Sequence, residues 1–171
     1  MELKEYIRTI DNFPKKGIKF KDISLLLANG EALHYTIEEM AKLAKDADII
    51  VGPDARGFLF GTPVAAKLKK PFIMVRKKGK LPGEVIGYEY ALEYGTNVLE
   101  IQKGITKAGQ KAVIIDDVLA TGGTLEAITK ILNSLGVEVL RIIVLMELDG
   151  FDARKKLNCD IRNLIFIKED E

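Results

Sequence analysis

The sequence predicts an α/β domain spanning residues 1–171, a mainly parallel twisted sheet flanked by helices. Three observations predict it. Short apolar, β-branched runs at 48–52, 72–75, 98–101, 113–115, 137–145 and 161–167 have the length and composition of buried strands. Stretches with apolar residues at helical spacing lie between them at 31–45, 58–68 and 125–135. No repeat, low-complexity segment or linker interrupts the alternation, and strands alternating with helices are joined by right-handed crossovers into a parallel sheet.

Residues 1–10 are charged and partly amphipathic, and predict one helix. Residues 11–17 (Asp-Asn-Phe-Pro-Lys-Lys-Gly) break it with turn formers. Residues 18–23 alternate apolar and polar like a short edge strand. This opening stretch stands outside the later alternation. Leu33, Ile37, Met40, Leu43 and Ala44 mark a helix that Asn29 and Gly30 can start. The first core strand, 48–52, runs into Pro53-Asp54-Ala55-Arg56-Gly57 and then a helix. An arginine at such a loop tip can grip a phosphate bidentately. After 72–75 comes a basic segment bearing glycine and proline (76–84), then two alternating stretches without a strong core pattern. Loops of this length inside a domain are usually functional, so 77–97 reads as a lid. Residues 104–110 make a connection turning at Gly109. The chain closes with a strand at 137–145, a short helix near 150–157, a last strand at 161–167 and a charged tail.

Hydrophobic residues are 47% and charged residues 30% of the chain, with net charge +1, so nothing marks a nucleic-acid or membrane surface. Cys159 and His34 stand alone, which leaves no disulfide, no His/Cys zinc cluster and no Ser–His relay. No signal-peptide pattern opens the sequence, and no apolar run approaches the ~18 residues that span a bilayer. A reduced, cytoplasmic setting is the expectation.

Residues 113–124 carry the chemistry: an apolar run, then Asp116-Asp117, then Ala120-Thr121-Gly122-Gly123-Thr124 and a helical pattern. In open parallel sheets, ligands bind beyond the carboxyl ends of the strands. The glycines let the backbone turn and approach an anion, and the following helix offers unpaired N–H groups. Thr121 and Thr124 add hydroxyl donors. Neighbouring side chains on a strand point to opposite faces, so the two aspartates suit a vicinal diol better than one metal site. A phosphate cradle beside diol acceptors describes a ribose 5-phosphate pocket. No lysine follows the glycines as in a Walker A loop, and G-x-G-x-x-G is missing.

This segment resembles the phosphoribosyl-diphosphate (PRPP) signature of the type I phosphoribosyltransferases. Phe13-Pro14, residues 17–23 (Gly-Ile-Lys-Phe-Lys-Asp-Ile), Arg56-Gly57-Phe58, Arg76-Lys77 with residues 79–82 (Gly-Lys-Leu-Pro), and residues 92–95 (Leu-Glu-Tyr-Gly) extend the similarity over nearly the whole chain, toward the adenine-specific branch. The resemblance implies transfer of the 5-phosphoribosyl group from PRPP to adenine, giving AMP and diphosphate in purine salvage. Ala120, Thr121, Gly122, Gly123 and Thr124 would hold the 5-phosphate, and Asp116 and Asp117 the ribose hydroxyls. Asp54, Ala55, Arg56 and Lys77 would face the diphosphate. Phe20 would stack on adenine opposite Val118 or Leu119, with backbone near Lys19 reading its edge. Residues 1–30 would form a hood, and Lys80 and Tyr94 would belong to the lid. Glu93 would act as general acid or base, with Arg56 stabilising the leaving group. Mg²⁺ is implied as cofactor, held mainly through substrate with Asp116 or Asp117 reaching it through water. A homodimer is the implied assembly. A phosphoribosyltransferase for xanthine or hypoxanthine, and a non-catalytic PRPP-sensing regulator, are the competing readings.

Overall fold

The computed structural model describes residues 1–92 and 95–169. Strands β1 (Arg8–Asp11) and β2 (Lys19–Asp22) form a separate antiparallel pair. Helices α1 (Ser24–Ala28) and α2 (Gly30–Leu43) follow, then β3 (Ile49–Pro53), α3 (Arg56–Leu68) and β4 (Phe72–Lys77). The antiparallel arm β5 (Val85–Leu92) and β6 (Gly95–Gln102) precedes β7 (Lys111–Leu119), α4 (Gly123–Ser134), β8 (Glu138–Leu148), α5 (Ala153–Lys156) and β9 (Asp160–Ile167). The seven-stranded sheet runs β5-β6-β4-β3-β7-β8-β9. Its β4-β3-β7-β8-β9 portion is parallel, and β6 joins β4 antiparallel.

Two apolar layers cover the sheet. On one face α2 and α3 bring Met40, Phe60 and Val64 onto Ile50, Val113, Ile115 and Ile143. On the other, α4 brings Leu125, Ile128, Ile131 and Leu132 onto Ile49, Val51, Ile114 and Ile142. Alternate residues of β3 and β7 thus serve opposite layers, which is why both strands read as continuous apolar runs. Asn29 caps α2, its side-chain oxygen accepting from the Ala32 N–H at 2.9 Å.

Three expectations are corrected. The helix expected over 1–10 exists only as a 3₁₀ turn at Leu3–Tyr6, after which Arg8–Asp11 extend and pair with Lys19–Asp22. Thr9 and Ile10 are β-branched, and Arg8 sits opposite Asp22 with an ion pair between them, so the pairing partner overrides local amphipathicity. The short helix Ser24–Ala28 was not anticipated; Asp22 Oδ1 accepts from the Ser24 N–H at 3.0 Å and starts that turn. Residues 85–92, read as part of a long loop, are a strand. Ile86, Tyr88 and Tyr90 turn onto the α4 layer while Gly87, Glu89 and Ala91 face outward. The period-two pattern was real; what it packs against is not adjacent in sequence. Residues 78–84 remain a connection, tied to β6 where the Gly79 N–H donates to Glu100 Oε2 at 3.0 Å.

Candidate active site

The site gathers where β3 and β7 end. The β3–β7 ladder stops at the Val51–Ile114 pair, while β7 continues beside β8 to Leu119. The space vacated by β3 is filled by the first turn of α3. That approach requires a glycine: a Cβ on Gly57 would meet Pro53 Cδ at 2.7 Å and Asp116 Oδ1 at 3.1 Å. The turn between them includes the Asp54–Ala55 peptide, which is cis.

Both signature aspartates reach toward this turn. Asp116 Oδ1 lies beside Gly57 and accepts from the Asp117 N–H at 2.8 Å. Asp117, buried, places Oδ2 2.9 Å from Arg56 Nε. The opposite-face expectation therefore gives way at the strand end, where the ladder partner is lost. Burial pushes the Asp116 carboxyl well above the usual carboxylate range, with the Asp117 charge adding to it. Burial also raises Asp117, against the pull of Arg56. A buried and a half-buried carboxyl with few donors of their own suit a ligand that brings hydroxyl donors.

Arg56 links this pair to the hood. Its guanidinium carbon lies 4.8 Å from the Phe20 ring centroid, and its Nη1 donates to the Lys21 carbonyl at 3.4 Å. Phe20 is also braced edge-on by Phe13, 5.1 Å between centroids. Phe20, Arg56 and Asp117 therefore form one continuous contact path. Leu119 is fully buried in the α4 layer, whereas Val118 is half-buried on the Phe60 side, so Val118 is the residue of the two that retains surface. Lys19 is exposed and lines a cleft of about 570 Å³ between the hood and the ends of β8 and β9.

Beyond β7, Gly122 adopts φ +83°, in the left-handed region, and starts α4. Thr121, Gly123 and Thr124 line a cavity of about 350 Å³ together with Tyr90 and Lys156. Neither of these last two was anticipated as a site residue. Tyr90 lies in the segment read as a lid loop; its hydroxyl is 3.3 Å from Thr124 Oγ1. Lys156 comes from α5, which no local motif connects to the signature. On the other side, Asp54 Oδ2 accepts from Arg76 Nε at 3.1 Å. Arg76 thus joins Asp54, Ala55 and Arg56 near one another, while the Lys77 and Lys80 side chains are exposed. Glu93 and Tyr94 lie outside the described residues. Among the described residues, no three His, Cys, Asp or Glu side chains converge to hold a metal.

Residues 20–167 match the family model described as phosphoribosyl transferase domain. The chain is 68% identical over 156 residues to the adenine phosphoribosyltransferase of Mycoplasmopsis pulmonis, covering 91% of this chain and 92% of that one. It is 64% identical over 168 residues to that of Mesomycoplasma hyopneumoniae, covering 98% of each. The structure superposes on adenine phosphoribosyltransferase from Thermoanaerobacter pseudethanolicus with TM-score 0.93 at 53% identity, covering 97% and 98% of the two chains. The Saccharomyces cerevisiae adenine phosphoribosyltransferase complexed with an imino-altritol bisphosphate and adenine gives TM-score 0.90 at 37% identity, over 94% of each chain.

Proposed function

Because this chain belongs to the phosphoribosyltransferase family, in its adenine-specific branch, and transfers the phosphoribosyl group of PRPP to adenine, we propose a division of labour among its residues. The observation that carries it is the Phe20–Arg56–Asp117 path, which puts a flat aromatic surface and the diol acceptors at the two ends of one guanidinium. Adenine stacks on Phe20 against Val118, with backbone at Lys19 reading its edge. Asp116 and Asp117 accept the ribose hydroxyl protons. Ala120, Thr121, Gly122, Gly123 and Thr124 cradle the 5-phosphate through backbone N–H and hydroxyl donors, and Lys156 faces it across the cavity with a positive charge. Asp54, Ala55, Arg56, Arg76 and Lys77 surround the diphosphate.

The reaction then needs orientation more than a protein nucleophile. Adenine nitrogen bonds to the anomeric carbon as the carbon–diphosphate bond breaks, through an oxocarbenium-like state. Holding base and sugar in line supplies much of the acceleration. Arg56 and Arg76 stabilise the departing charge. Glu93 adjusts adenine's protons as general acid or base, and the antiparallel arm within 77–97, with its 78–84 connection, Lys80 and Tyr94, closes over the site to exclude water.

The proposed Mg²⁺ is held mainly by substrate oxygens. Asp54 Oδ1 and Asp117 Oδ2 are buried without an aligned hydrogen bond, and so can receive water from such an ion. When bound, Mg²⁺ offsets charge on the leaving diphosphate. Among the described residues no helix is long and apolar enough to cross a membrane; the cytoplasm and a homodimer are the proposed setting and assembly.

The test is nucleotide formation from PRPP and Mg²⁺ with each purine base in turn. Sites that read an exocyclic amino group through buried polar partners discriminate by about 10⁴ or more. Adenine alone should react efficiently, and comparable kcat/KM for hypoxanthine would overturn the adenine pocket.

A further inference from the structure

We propose that Arg154 is a positioning residue for the 5-phosphate loop, acting through α5. The inference rests on the placement of the 5-phosphate at residues 120–124. The phosphate loop does not support itself. Gly122 stands over Ala153 and Leu157: a Cβ built on it would lie 3.2 Å from Leu157 Cδ1 and 3.3 Å from Ala153 Cβ. Both residues are buried, at 6% and 4% exposure, so the underside of the loop is a fitted apolar contact with α5. Lys156, on the same short helix, lines the cavity above with Thr121 and Thr124. The position of α5 therefore sets both the floor of the loop and the cation facing it.

A helix of four residues cannot hold itself in place. Its own backbone bonds are local, from Lys155 N–H to the Asp152 carbonyl and from Leu157 N–H to the Ala153 carbonyl. Arg154 supplies the ties to the sheet. Its Nε and Nη2 donate to the two carboxylate oxygens of Glu147 at 2.8 and 2.7 Å. Nη2 also donates to Asn163 Oδ1 at 2.9 Å, and Nη1 to the Ile161 carbonyl at 3.0 Å. Glu147 is itself fixed: it is buried and stands opposite Leu119 in the β7–β8 ladder, the residue that leads into the loop. One guanidinium thus locks α5 to β9 and to the end of β8, whose Glu147 lies beside the β7 end that carries the phosphate loop. A planar, five-donor fork is needed for that, and lysine cannot reproduce it.

The experiment compares Arg154→Lys, Leu157→Ala and Thr124→Ala with the parent chain, measuring KM for PRPP, KM for adenine, kcat and melting temperature. The Arg154 side chain is about half exposed (48%), so its replacement by lysine leaves the core layers intact. Leu157→Ala loosens the same floor without touching the Glu147 charge. A misplacement of about 1 Å costs about a hundredfold in rate, and a fraction of that should cost about tenfold. We expect Arg154→Lys and Leu157→Ala each to raise KM for PRPP about tenfold, with KM for adenine unchanged. The two effects should be less than multiplicative in the double variant, because both act through one contact. A lowered melting temperature with both KM values unchanged would make Arg154 an ordinary structural tie and overturn the proposal. If Thr124→Ala raises KM for PRPP while Arg154→Lys does not, the phosphate site stands and the Arg154 role falls. If Thr124→Ala, Arg154→Lys and Leu157→Ala all leave it unchanged, the phosphate placement fails and the proposal with it.

Discussion

Arg56→Lys keeps the charge at the centre of the site and removes its shape. The Arg56 guanidinium spans two partners, Asp117 Oδ2 at 2.9 Å from Nε and the Phe20 ring at 4.8 Å from the guanidinium carbon. An ammonium on a single-ended stem can satisfy one of these but not both. A cation over an aromatic face in a partly exposed site contributes about 0.5–1 kcal/mol. Leaving the buried Asp117 carboxyl with a poorer partner costs about 1–3 kcal/mol, of which lysine recovers part. The Asp117 side chain is 4% exposed, which favours the upper part of that range; Arg56 at 34% favours the lower. The net loss is about 1.5–3 kcal/mol, and at about 1.4 kcal/mol per decade kcat/KM should fall ten- to a hundredfold. Because the path runs from the diol acids to the base ring, the loss should appear for both PRPP and adenine. Steady-state kinetics with each substrate varied in turn reads it, and thermal unfolding should show a drop of a few degrees, at about 2–4 °C per kcal/mol for a chain of this size. Values of kcat/KM within twofold of the parent for both substrates, with an unchanged melting temperature, would refute the linkage.

Asp116→Asn should stabilise the ligand-free protein while impairing turnover with PRPP. The folded carboxyl titrates above its unfolded value because burial disfavours its charge, so ionising it costs stability above the folded pKa, and that cost disappears as pH falls to the unfolded range. Asparagine keeps the Oδ1 acceptor for the Asp117 N–H. The gain in melting temperature over the parent should be largest at neutral pH and shrink toward pH 4; a gain that grows on acidification would show the sign to be wrong. Gly57→Ala should cost about 1–3 kcal/mol through overpacking against Pro53 and Asp116, read by denaturant unfolding; full stability would mean that α3 can withdraw from β7 freely. Trypsin should cut the ligand-free chain within 77–81, where Lys77, Lys78 and Lys80 are exposed. Mg²⁺-PRPP with an unreactive adenine analogue at about 100 Kd should slow that cleavage by up to about a hundredfold, and equal cleavage in all samples would remove the lid from the mechanism.

Much of this protein is determined along the chain. The apolar runs of β3, β7 and β8 are buried on both sides, so composition alone marks them as core strands, while β4 and β9 keep an exposed side at Met74 and Phe166. The loop around Gly122 and the acids before it are contiguous, so their chemistry is legible without a fold. The β5 strand shows the limit: its alternation is visible, but only α4, distant in sequence, tells Ile86, Tyr88 and Tyr90 which way to face. Tertiary structure alone decides the rest. It brings Arg56 between Asp117 and Phe20, sets Arg76 on Asp54, and seats Ala153 and Leu157 beneath Gly122. It also turns both aspartates toward one helix end, where strand alternation predicts divergence, because β3 has left the ladder before they are reached. Periodicity reports what a residue does against its own element. Which side chains meet across elements depends on where ladders stop and how closely helices approach, and a local pattern carries neither.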